Sequence, residues 1–136
     1  MAREFTLSVV GPDAEVVRES AVSMVAPGTE GYFGVMAGHL PLVAALRPGL
    51  VEYTDATNIR HWVYIGGGFC EVGAEFVTVL ADEARRASDL DAAEAEAALA
   101  EARRALRGED SSINSEDAVE EIERATARLR AARASR

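Results

Sequence analysis

The chain of 136 residues contains no lysine; all 14 of its basic residues are arginine. That absence excludes a phosphate loop of the Gly-Lys-Ser/Thr type, which needs the lysine ammonium on the phosphates. The net charge of −9 argues against nucleic acid as a partner, because phosphate neutralisation dominates that affinity. A single cysteine, Cys70, excludes an internal disulfide and fits a reducing compartment. Its neighbours Phe69 and Val72 make it read as a packed small residue rather than a reactive thiol. The only two histidines, His39 and His61, lie in neither a His-Glu-x-x-His nor a Cys-x-x-Cys setting, so no metal site is expected. A Cys70/His nucleophile and base would need a cysteine on a sharp elbow, whereas Cys70 lies in a strand pattern. No catalytic residue is therefore assigned. Long hydrophobic runs are absent too. The longest, Leu40 to Leu46, contains Pro41 and is far too short for ~30 Å of hydrocarbon. Met1 to Phe5 has no apolar signal core, so membrane association is expected only through a partner.

What is present begins with glycine punctuation. Gly28, Gly31, Gly34 and Gly38 interrupt any helix or long strand, holding Tyr32-Phe33 and Val35-Met36 between them, with His39 just before Leu40-Pro41. Around this stretch, residues 1–84 read as strands. Phe5 to Val9 alternates apolar and polar, and Gly11-Pro12-Asp13 ends it. Val16 to Val25, Leu42 to Leu46, Leu50 to Thr54, Ile59 to Ile65, Phe69 to Val72 and Phe76 to Leu80 follow. Pro48-Gly49, Asp55 to Asn58 and Gly73-Ala74 separate them, and Gly66-Gly67-Gly68 reads as a hairpin turn or bulge. Short strands at this spacing, without helical crossovers, predict a mainly antiparallel sandwich.

Near Ala84 the composition changes. Ser88 is the expected N-cap of an alanine-rich helix running to Arg107, with Ala92, Ala95, Leu99, Ala102 and Leu106 on one seam and Gly108 as the stop. Asp110 to Asn114 reads as a polar loop, and Asn114 or Ser115 caps a second helix whose seam is Ala118, Ile122, Ala125, Leu129 and Ala132. Seven acids and no arginine lie between Glu109 and Glu123, then five arginines and no acid between Arg124 and Arg136, an order that follows the helix dipole. The expected fold is thus an all-β N-terminal antiparallel β-sandwich (1–84) followed by a C-terminal antiparallel α-helical hairpin (88–136). Only Leu99, Leu106, Ile122 and Leu129 are large on these seams, each contributing ~1.5–3 kcal/mol at best. A hairpin held so weakly can leave its resting place, as a movable arm does.

The motif Gly28-x-Glu30-Gly31-x-x-Gly34-Val35-x-x-Gly38-His39-x-Pro41-Leu42 resembles the signature of the epsilon subunit of the F-type ATP synthase. Arg47-Pro48-Gly49, Gly67-Gly68-Phe69-x-Glu71-Val72 and Val77-Thr78-Val79-Leu80-Ala81-Asp82 extend the similarity over the whole chain. The resemblance implies a non-catalytic rotor subunit of the central stalk of a proton-translocating enzyme. Its sandwich would join the gamma subunit to the ring of c subunits, at a contact carrying Glu30, Tyr32 and His39. It further implies that the helical hairpin can extend into the catalytic head and restrain ATP hydrolysis, with Arg124, Arg128, Arg130 and Arg133 facing the alpha and beta subunits. The implied location is peripheral, on the cytoplasmic face of the bacterial cell membrane. Two departures stand out. Ala37 replaces the proline usual before Gly-His, and Glu94 replaces the arginine of the Ile/Leu-Asp-x-x-Arg-Ala segment of ATP-binding members, here Leu90-Asp91-Ala92-Ala93-Glu94-Ala95. Asp91 is the one residual nucleotide contact, and an anion in place of a cation predicts weak or absent ATP binding by the isolated chain. The competing reading is a free-standing ligand-binding β-sandwich with a dimerising helical hairpin.

Overall fold

The computed structural model describes residues 3–109 and 113–134, so Asp110 to Ser112 of the expected interhelical loop, together with Met1, Ala2, Ser135 and Arg136, lie outside the described residues. Seven strands come first: β1 (Phe5–Val10), β2 (Glu15–Gly28), β3 (Gly31–Met36), β4 (Leu42–Asp55), β5 (Arg60–Val72), β6 (Phe76–Ala81) and β7 (Ala84–Arg86). A 3-10 turn at Ala87–Asp89 leads to α1 (Ala92–Leu106) and α2 (Ser115–Ala134). Strand order is β1-β6-β5-β4-β2-β3, with β7 on β5, and β1 also pairs with β2, which closes the sheet into a flattened barrel. Pairing is antiparallel except between β1 and β6, which run parallel with Leu7 opposite Val77.

The apolar alternation read from the sequence makes the core. Leu7, Val9, Val51, Val63, Ile65, Cys70 and Val79 are fully buried there, beside Phe5, Val17, Met24, Tyr53, Val72 and Val77. Two expected breaks are in fact the middles of long strands. Leu42–Asp55 runs straight through Pro48-Gly49, and Arg60–Val72 through the glycine triplet. Both strands change the face that looks inward there. Leu46 is buried on one side of the bend and Val51 and Tyr53 on the other; Ile65 is buried before the triplet and Cys70 and Val72 after it. An odd spacing between inward residues means that the regular two-residue alternation is interrupted there. On β5 the positive φ angles of Gly67 (97°) and Gly68 (139°) make that interruption, while the register with β4 stays unbroken. At this point β5 exchanges partners, from Ala84–Arg86 to Phe76–Ala81. The Gly67 carbonyl accepts from Asp82 N at 2.9 Å, so the backbone remains paired through the exchange.

The helical part also differs in detail from the expected seams. Asp91 rather than Ser88 caps α1, its carboxylate accepting from Ala93 N at 2.8 Å, because Ala87–Asp89 is taken up by the 3-10 turn. Asn114 caps α2 through a bond from Asp117 N at 2.8 Å, as expected. Ala95, Leu99, Ala125 and Leu129 form the interhelical cluster, with Ala92 and Ile122 half-buried against it. Leu106 is 44% exposed at the last residue of α1, beside the interhelical connection, and Ala105 is buried instead.

Gly68→Ala tests the strand exchange. Its Cβ would lie 2.0 Å from the Leu80 carbonyl oxygen on a backbone at φ 139°. Urea unfolding should show a loss of about 3 kcal/mol or more. A loss under about 1 kcal/mol would mean that the exchange does not require glycine.

Candidate functional site

The glycine-punctuated stretch folds as the β2–β3 hairpin and the loop after it. Gly28 pairs with Gly31, leaving Thr29 and Glu30 at an exposed turn. Tyr32 opens the edge strand, half exposed, its hydroxyl accepting a long bond from Leu50 N at 3.5 Å. His39 belongs to the far end of that strand. Its backbone N–H closes a turn on the Met36 carbonyl at 3.2 Å, and its Nδ1–H donates to the Leu40 carbonyl at 2.7 Å. Gly38 N donates to the Ala74 carbonyl at 2.8 Å, tying this loop to the β5–β6 turn. Glu30 and Tyr32 therefore sit together, and His39 sits apart among exposed Met36 and Leu40.

An apolar surface missed in the sequence lies on the outward side of the adjoining sheet. Ala45, Phe69 and Leu80 occupy matched positions on β4, β5 and β6. Val43 and Phe76 lie two and four residues away on the same side, and Val43, Phe69, Phe76 and Leu80 are 68%, 58%, 43% and 55% exposed. These strands carry apolar residues on both faces. That double pattern was the available signal, since a solvated outer face normally alternates to polar.

The other halves of β4 and β5 carry the helices. Leu50 and Tyr64 meet Ala87, Ala127 and Ala131, with Trp62, Leu90 and Ala134 around them. Alanine lets the α2 backbone approach the sheet closely, yet each methyl contributes only ~0.8 kcal/mol. Arg128 adds the polar part of this seat. Its guanidinium lies 5.6 Å from the Tyr64 ring centroid, with Nη2 donating to Glu121 Oε1 at 2.6 Å and Nη1 3.7 Å from Glu83 Oε1. The Tyr64 hydroxyl donates to Glu83 Oε1 at 2.6 Å. Burial, together with the Glu83 carboxylate, raises the pKa of that phenol far above its ordinary value, so it stays a donor. A second bridge, Arg47 to Glu123 at 2.9 Å, lies at the surface, where such pairs are weak.

The four arginines singled out in α2 thus differ in availability. Arg128 has 14% of its side chain exposed and is fully engaged. Arg133 pairs with Glu96 at 2.9 Å, tying α2 to α1, and Arg124 lies 3.5 Å from Glu120 on its own helix. Arg130 is exposed and lines a groove of about 470 Å³ with Tyr32, Trp62 and Arg133. Asp91 lines a smaller recess of about 190 Å³ with Arg85, Glu94 and Arg128, its carboxylate committed to the α1 N-terminus. Cys70 is wholly buried, and burial pushes its thiol up to about 11, so it cannot serve as a nucleophile. Glu19, Asp55 and His61 come together elsewhere, at the far end of the barrel strands.

The chain matches the model of the ATP synthase Delta/Epsilon chain beta-sandwich domain over residues 4–87. It is 40% identical over 127 residues to the ATP synthase epsilon chain of Syntrophomonas wolfei, covering 93% of each. It is 39% identical over 114 residues to that of Desulfatibacillum aliphaticivorans, covering 84% of this chain and 81% of the relative. Among solved structures, a chain of the Euglena gracilis mitochondrial ATP synthase, in an OSCP/F1/c-ring assembly, superposes with a TM-score of 0.82 at 26% identity, over 95% of this chain and 81% of that one. A central stalk/c-ring structure from Tetrahymena thermophila shares the fold at 16% identity, with a TM-score of 0.59 over 99% and 98% of the two chains.

The seat has a built-in reporter, since Trp62 is the only tryptophan and packs beneath α2. Arg128→Ala removes the cation beside Glu83 and the nearer of the two arginines beside Glu121 and should loosen the helices, moving Trp62 emission to longer wavelength while the far-UV spectrum still reports a folded chain. Unchanged emission would show that alanine packing alone holds the arm.

Proposed function

The chain belongs to the family of ATP synthase epsilon chains, and on that premise we propose that it is a non-catalytic rotor subunit of the central stalk, joining gamma to the c-ring. It is peripheral to the membrane through the complex; among the described residues no helix is long and apolar enough to cross a bilayer. We place it on the cytoplasmic face of a bacterial cell membrane, in a proton-driven enzyme. The observation that carries the reading is the apolar outer face of Val43, Phe69, Phe76 and Leu80. Four large apolar side chains side by side in water are unfavourable unless a partner covers them. We assign that face to gamma and the loop of Met36, His39 and Leu40 to the ring contact, with Glu30 and Tyr32 at the neighbouring corner.

Residues 1–84 then act as the platform and 88–136 as the arm. Withdrawing α2 from the sheet would free Arg128 from Glu83 and Tyr64, so that it could join Arg124, Arg130 and Arg133 against acidic segments of alpha and beta. One guanidinium cannot serve both places, which makes the seated and extended positions mutually exclusive. The dimerising alternative finds less support, because the Ala95–Leu99 and Ala125–Leu129 surfaces are consumed within the chain. ATP binding should be weak. The recess beside Asp91 is small and already lined by Glu94, whose carboxylate repels a triphosphate.

Three measurements check these assignments. A chain truncated after Ala87 should still capture gamma, whereas Phe69→Asp or Leu80→Asp in the full chain should weaken capture at least tenfold. Loss of capture on truncation, with capture intact in the aspartate variants, would refute the division of labour. Calorimetry should detect no saturable micromolar heat for ATP; a micromolar Kd that disappears in Asp91→Ala would reverse that assignment.

A further inference from the structure

Three ionisable side chains converge away from both surfaces just described. Glu19 comes from β2, Asp55 ends β4, and His61 begins β5, opposite Tyr53 in the strand register. One ligand atom from each lies within 4.8 Å of the other two. His61 Nε2 is 2.7 Å from Asp55 Oδ2 and 3.9 Å from Glu19 Oε1. A neutral imidazole has one proton to donate from that nitrogen, and a single bond to Asp55 uses it. Glu19 then faces the same nitrogen without a hydrogen bond from it.

Each member is held from behind. Asp55 Oδ1 accepts from Thr57 N at 2.8 Å, Thr57 Oγ1 at 2.7 Å and Ile59 N at 3.0 Å, which leaves Oδ2 turned to the histidine. The Tyr53 hydroxyl donates to Glu19 Oε1. The Tyr53 ring stacks on the imidazole at 4.9 Å and 21°, fixing its plane. Outer hydrogen bonds of this kind orient metal ligands and limit what must be ordered on binding.

From this arrangement we propose that Glu19, Asp55 and His61 form a three-ligand site for a divalent transition ion of the zinc class. Imidazole nitrogen with two carboxylate oxygens is a donor set that zinc accepts at ~2.0–2.2 Å, which sets ligand atoms roughly 3.3–3.6 Å apart in a tetrahedron. The observed 2.7 and 3.9 Å from His61 straddle that separation, and the two carboxylate oxygens lie within 4.8 Å of each other, so small side-chain shifts would close the three atoms around an ion. Two carboxylates balance a 2+ ion, and a fourth position is left for water. His61, Asp55 and Glu19 keep 31%, 16% and 35% of their side chains exposed, which gives the ion a way in.

The site would clip three strands at the end of the barrel that carries the arm. A recess of about 180 Å³ beside His61 is lined by Arg86, Ala87 and Ser88, the segment that connects sheet to helices. Bound metal would therefore stiffen the platform next to the hinge. Sequence spacing could not disclose such a site, because its ligands come from positions 19, 55 and 61 on three strands.

The test uses the full chain, stripped with chelator and titrated with ZnCl₂ against a chromophoric competitor, with thermal unfolding in parallel. Expected are one saturable equivalent and a rise in Tm. His61→Ala should abolish binding, Glu19→Gln should weaken it at least tenfold, and His39→Ala should leave it intact. Should His61→Ala fail to fold by far-UV circular dichroism, Glu19→Gln decides. No saturable binding, loss in His39→Ala, or an affinity within twofold of the parent in Glu19→Gln would each overturn the proposal.

Discussion

The contact between Ala127 and Ala131 of α2 and the Leu50–Tyr64 surface of the sheet is the constraint on which the rest turns. Two methyl groups allow close approach but bury little area. Arg128 supplies direction: its charge is satisfied only where Tyr64, Glu83 and Glu121 meet. Breaking a half-buried pair of this kind is costly unless the freed charge finds water or another anion. The seat is consequently specific without being strong. Those are the properties required of an arm that must have one resting place and still be able to leave it.

The barrel provides the opposite property. β4 and β5 pair over their whole lengths, and each reverses its inward face midway, at Pro48-Gly49 and at Gly66-Gly67-Gly68. That paired reversal lets one ribbon serve two surfaces. One half presents Leu50, Trp62 and Tyr64 to the helices; the other presents Val43 and Phe69, joined by Leu80 of β6, to solvent. The helical seat and the exposed apolar face are thus built on the same two strands.

Much of this was legible from residues alone. Period-2 alternation located β1, β6 and the inner face of β5, and the 3,4 spacing of alanine and leucine located both helices. The motif from Gly28 to Leu42 resembled the right family, and the relatives at 39% and 40% identity agree. What was not legible depends on pairing. A glycine triplet looks like a turn until a second strand is seen to continue beside it, so one long strand was read as two. Ser88 has the right side chain for a cap, but the backbone it would cap is already wound into the turn at Ala87–Asp89. Ala127 and Ala131 form a second stripe on α2, invisible as such because alanine is also simply a good helix former. Tyr32 and His39 are seven residues apart in sequence, yet an intervening strand carries them to opposite ends.

The central claim is that the helices detach from an intact barrel. Native-state hydrogen exchange at increasing sub-denaturing urea measures this most directly, amide by amide. Amides of α1 and α2 should exchange through an opening of lower free energy and weaker urea dependence than those of β4 and β5. If helices and strands instead share one opening, with the free energy and urea dependence of global unfolding, the arm is not a separable element and the account is wrong.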